Sequence, residues 1–181
     1  MSVEHTHEHQ SQPPEDDAFS LENLAHSAKE LTLQMGWHAP TLLVAGSKQR
    51  IGGQFEHMPP SHEDRVRLMY AAGKNFGEQD VLGSLQQVVF ITEAWVSVLS
   101  EGEAFRQPSQ DPERKEVLCI SRLDVATQRH ELVLYEIVRD ANERIIDLPD
   151  YRVGDEETTA DSPLLKAFAV GYTSSRAQKF N

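Results

Sequence analysis

Apolar residues crowd one stretch of the chain, Val88-Val89-Phe90-Ile91-Thr92-Glu93-Ala94-Trp95-Val96-Ser97-Val98. β-branched and aromatic side chains of this kind suit a pleated, half-buried surface, so the run predicts a long central strand over 87–99. Alternation puts Val89, Ile91, Glu93, Trp95 and Ser97 on one face. Val88, Phe90, Thr92, Ala94, Val96 and Val98 form the other face, which is nearly all apolar and must be covered. The first face carries a carboxylate in mid-strand, and a buried acid needs either water or a partner.

The same patterning predicts the flanking elements. Leu21, Leu24, Ala25, Ala28, Leu31 and Met35 recur at helical spacing behind Ser20, an N-cap residue, and Gly36 ends the helix. Pro40 then introduces a short strand over 41–45, and 50–58 returns as its hairpin partner. Ser61 caps a second helix whose stripe is Val66, Met69, Tyr70, Gly73 and Phe76 and which ends near Gly77, with a turn or short extension to Gly83. After the central strand, 115–124 and 130–139 read as strands joined by a turn short enough for an antiparallel hairpin, and Arg144 to Leu148 as a brief last strand. The order α-β-β-α-β-β-β predicts an α+β fold, a mainly antiparallel sheet of about five strands with two long helices on one face and the Glu93 face open to water.

Residues 1–18 hold two prolines, five acids and no lysine or arginine, a composition that cannot offset the entropy of ordering. We read them as a disordered acidic tail, 19–150 as the single domain, and 151–181 as an acidic linker followed by a short helix or extension from Ser162-Pro163. At 181 residues the chain suits one domain. Its formal charge of −12 argues against nucleic acid and anionic membrane surfaces as partners, because like charge repels both. No apolar run reaches the length of a membrane span. A single cysteine, Cys119, and no signal peptide point to a soluble, cytoplasmic protein. Its setting, Val117-Leu118-Cys119-Ile120, is that of a small buried hydrophobe.

Two strings stand out together: Thr92-Glu93-Ala94-Trp95 in the central strand, and Pro108-Ser109-Gln110-Asp111-Pro112-Glu113-Arg114-Lys115-Glu116 leading into the next. They resemble an uncharacterised family of small bacterial and phage-borne proteins that pair an E-A-W strand with a P-S-x-D-P-x-R-K-E loop. The likeness spans about residues 40–140 and implies a shared fold, with no chemistry attached.

Candidate chemistry centres on Glu93. If the next two strands pair in a suitable register, Arg122 and Glu136 would share its face, and two carboxylates around an arginine could do acid–base work or hold a cation. The plainer reading is a cross-strand charge pair, and a one-residue slip would separate the partners. Trp95, with Asp111, Arg114 and Lys115 on the loop, is a candidate binding surface, the last three for an anion. His5, His7 and His9 have imidazoles that suit a transition metal, but no cysteine supports a structural site. Neither phosphate-loop nor nucleophile motifs occur, and no cofactor is implied. The sequence therefore predicts a binding or protein-interaction module, with a small hydrolase-like enzyme or metal-binding protein using Glu93 as the alternative.

Overall fold

The computed structural model describes residues 19–97, 111–151 and 162–179. The fold is α+β. Five antiparallel strands form the main sheet in the order β2-β1-β3-β4-β5: β1 Thr41–Gly46, β2 Arg50–Gln54, β3 Leu85–Val96, β4 Lys115–Asp124 and β5 Arg129–Glu136. A small hairpin of β6 (Val138–Arg139) and β7 (Ile145–Asp147) follows, and the helices are α1 (Leu21–Met35), α2 (His62–Gln79) and α3 (Pro163–Lys179). The first hairpin's return strand is shorter than the expected 50–58, and the expected strand 130–139 breaks at Ile137. None of the three helices is long and apolar enough to cross a membrane. The proposed tail over 1–18 lies outside the described residues.

β3 is the centre of the sheet. It pairs with β1 through Ile91↔Thr41 and Val88↔Val44, and with β4 through Val89↔Arg122, Thr92↔Cys119 and Glu93↔Leu118. Val88, Val89, Phe90 and Ile91 are all buried, so both faces of the strand are covered. On one face Leu42, Val44, Val88, Phe90 and Leu123 pack under Met69, Leu165, Phe168 and Tyr172 of α2 and α3. On the other, Val89, Ile91, Leu118 and Ile120 pack under Ala25 and Ala28 of α1, together with Ile137, Ile145 and Leu148.

One face does carry two long helices, but they are α2 and α3, while α1 covers the face expected to be wet. The C-terminal helix is 17 residues long rather than short, and Leu165, Phe168 and Tyr172 put it in the core. α1 also sits differently from its expected stripe. Ala25, Ala28 and Thr32 face inward, with the Thr32 hydroxyl bonded to the Ala28 carbonyl at 2.7 Å, whereas Leu31 and Met35 are exposed. Both ends match expectation: Ser20 Oγ accepts from the Asn23 N–H at 3.2 Å, and Gly36 closes the helix at φ 76°. α2 continues past Gly77 to a left-handed cap at Asp80.

Gly77 has another task. A Cβ on Gly73 would lie 2.0 Å from the Phe168 carbonyl oxygen, one on Gly77 2.5 Å from that of Tyr172, and one on Gly171 2.2 Å from that of Tyr70. α2 and α3 therefore touch backbone to backbone, and the pairing Gly73–Phe168, Gly77–Tyr172 shows that they run parallel. Their C-terminal ends are tied together: Arg176 contacts Asp80 at 3.2 Å, Lys48 reaches the same carboxylate at 2.9 Å, and the Tyr172 hydroxyl donates to the Gly83 carbonyl at 2.6 Å.

Gly73→Ala is expected to cost about 1–3 kcal/mol or more, because the added methyl meets backbone that cannot step aside. Gly53 lies on the edge strand with open space around its Cα, and Gly53→Ala should change stability by about 0.5 kcal/mol or less. Urea denaturation of both variants checks the pair; equal losses would contradict the close helix contact.

Candidate functional site

Glu93 lies on the α1 face, half-buried and fully engaged. One carboxylate oxygen accepts the His38 N–H at 2.7 Å, and the other lies 3.6 Å from the Arg139 guanidinium. Arg139 in turn holds Glu116 through two bonds of 2.9 and 2.8 Å. Burial pushes the Glu93 carboxyl above its ordinary value; the His38 bond and Arg139 oppose that shift, and Glu116 adds to it. Burial also lowers the pKa of the His38 imidazole. A general base needs a lone pair aimed at a cavity, whereas both Glu93 oxygens face protein donors. Its role here is to pin the segment between α1 and β1 to the central strand.

The remaining sequence candidates do not converge on it. Arg122 shares the face but sits beside Val89, four residues along β3, and pairs with Glu131 through its Nε at 2.7 Å. Glu136 is registered with Val117, and through it with Ala94, so it lies on the opposite face, bonded to Lys115 at 2.8 Å. The Arg114 guanidinium stacks 4.5 Å from the exposed Trp95 ring. Asp111 closes its own turn by accepting the Glu113 N–H at 2.9 Å. The Asp111 carbonyl also accepts the Arg114 N–H at 3.4 Å, while Lys115 reaches across to Glu136 on β5. His5, His7 and His9 lie outside the described residues, and among the described residues no group of three metal-ligating side chains comes together.

A concave feature lies on the other face. Among the described residues, α2 and α3 leave one end of the sheet uncovered, and a cleft of about 440 Å³ lies there. Phe90, Thr92 and Ala94 of β3, Cys119 and Ser121 of β4, and His130 and Leu132 of β5 make the floor. The cross-strand pairs Phe90↔Ser121↔Leu132 and Thr92↔Cys119 put these side chains on one face. Met58 before α2, Arg65 in its first turns, and Ser162 and Leu164 at the start of α3 make the walls. Glu93 and Glu131 border the cleft through their backbone, since their carboxylates are bonded on the far face.

Cys119 and His130, the described thiol and imidazole of the cleft, do not form a pair. Cys119 and His130 share its floor, but Cys119 pairs with Leu134, four residues along β5 from His130, or roughly 13 Å at strand spacing. Burial raises the thiol to about 11, the reverse of nucleophile activation. Ser121 Oγ donates to the Phe90 carbonyl at 3.3 Å, and His130 Nδ1 accepts the Ser162 N–H at 3.3 Å. Neutral His130 thus carries its proton on Nε2.

Sequence reading missed Met58, Arg65, His130, Leu132 and Leu164 as a set. The available signal was the run of small or hydroxylated residues Thr92, Ala94, Cys119 and Ser121 at alternate positions of two apolar strands, where space is left above the sheet. No family model, no curated protein and no solved structure matches this chain.

Two measurements follow. A carboxyl raised in the folded state favours its protonated form, so its contribution is full below the ordinary value, about 4.3, and is lost as pH rises through the raised one. Glu93→Gln lacks that term, so its stability relative to the native chain should rise from below pH ~4 toward neutrality. Urea melts across that range test this, and a flat or falling difference would refute it. Alkylation of Cys119 by iodoacetamide should keep accelerating up to pH about 11 in the folded protein, whereas an unfolded thiol levels off above about 8.5.

Proposed function

We propose that this chain is a non-catalytic binding protein whose ligand occupies the cleft above β3, β4 and β5. The observation that carries this reading is the composition of the cleft. It is concave and mostly apolar, with Met58, Phe90, Ala94, Leu132 and Leu164 around a few polar groups. Its volume lies in the range of small-molecule sites, roughly 300–1,000 Å³. Leu132, 36% exposed on the floor, is a large apolar side chain left for a ligand to cover. No nucleophile–base pair is assembled among the described lining residues, which favours binding over turnover.

Titration calorimetry with decanol, an uncharged apolar probe, tests the site. Ala94→Phe places a ring in the floor of the cleft and is expected to weaken decanol binding by about tenfold or more, some 1.4 kcal/mol, while the melting temperature is kept. Unchanged decanol affinity in a folded Ala94→Phe variant would remove the cleft as the binding site.

A further inference from the structure

We infer that the cleft selects an amphipathic monoanion, a medium-chain carboxylate, with its head group on Arg65 and its tail across Phe90, Ala94, Leu132 and Leu164. This inference rests on the reading of the cleft as a binding site and adds the ligand's charge. The chain as a whole is strongly acidic, with 29 acidic against 17 basic residues. The cleft inverts that balance. Among its described lining residues Arg65 is the one permanently charged side chain turned toward it, for the Glu93 and Glu131 carboxylates are bonded to His38 and Arg122 on the opposite face.

Arg65 is also held in place. Its Nε donates to the Pro59 carbonyl at 2.6 Å, which fixes the plane of the guanidinium and leaves the Nη edge directed away from that bond. A planar fork of this kind matches a carboxylate. The neighbouring acids of α2 are occupied on the outer surface: Glu63 pairs with Arg67, and Asp64 accepts from Ser61 at 2.6 Å. Because α2 and α3 are parallel, both helix N-termini open at this end of the sheet, and their partial positive charges act in the same direction as Arg65. The Thr92 and Ser121 hydroxyls on the floor already donate to the Glu93 and Phe90 carbonyls, so the head group falls to Arg65. One cation at the mouth of an apolar cleft favours an anion whose apolar tail gains by burial.

Calorimetry with decanoate, decanol and decylammonium, each below its micelle concentration, separates the two levels of the argument. Decanoate is expected to bind about tenfold or more tighter than decanol, the scale of one charge-assisted hydrogen bond, and decylammonium more weakly than decanol. Arg65→Gln should bring the decanoate and decanol affinities together, while Arg65→Lys should keep part of the preference. Decanoate should also slow alkylation of Cys119, with half-protection at its calorimetric Kd. Decanol binding as tightly as decanoate, or a preference that survives Arg65→Gln, would overturn the anion inference and leave the cleft standing. Binding of none of the three probes would overturn both.

Discussion

Backbone contact between α2 and α3 is the constraint on which the rest of the molecule depends. Gly73, Gly77 and Gly171 remove the side chains that would hold two helices apart, and the carbonyls of Tyr70, Phe168 and Tyr172 fill the space. Two helices this close behave as one slab. Met69, Leu165, Phe168 and Tyr172 project from it onto Leu42, Val44, Val88 and Phe90 as a single apolar surface. At one end the slab is locked by Asp80, Arg176, Lys48 and Tyr172, groups drawn from three elements far apart in sequence. At the other end it stops short of the sheet. The cleft is that uncovered strip, so its shape follows from where the helices start.

The opposite face is built by different means. α1 presents small side chains, Ala25 and Ala28, which let it lie close to Val89 and Ile91, and the β6–β7 hairpin completes the cover with Ile145. Near the end of this layer the Glu93 carboxylate meets the His38 N–H, with Arg139 bridging toward Glu116. A charge in mid-strand is tolerated because the connection from α1 supplies a backbone donor and the hairpin supplies a cation. The two faces of β3 thus diverge in use. The odd-numbered positions hold the fold together, and the even-numbered positions Phe90, Thr92 and Ala94 line the cleft.

Local rules carried the reading of the elements a long way and the site only a short way. The central strand, the hairpin partner over 115–124, the Ser20 and Ser61 caps and the Gly36 stop each depend on a few consecutive residues, and each is present in the structure. The helix does end close to Gly77, at Gln79, but nothing local shows that this glycine is also a contact point with a helix some ninety residues away. Glu93 and Glu136 are acids on apolar strands either side of β4, yet the register through Val117 and Ala94 puts them on opposite faces.

What the sequence determined by itself was therefore the set of parts: helix or strand, where each begins, and which side chains alternate on a face, since periodicity and caps are properties of adjacent residues. The tertiary structure alone decided which helix covers which face, that α3 is a core element, and that Glu93 meets His38 and Arg139 rather than Arg122 and Glu136. It also decided that Arg65, His130 and Leu164 border the same cleft. Those outcomes depend on strand register and on how closely α2 and α3 approach, and both are set by contacts between residues tens of positions apart, which leave no local pattern in the chain.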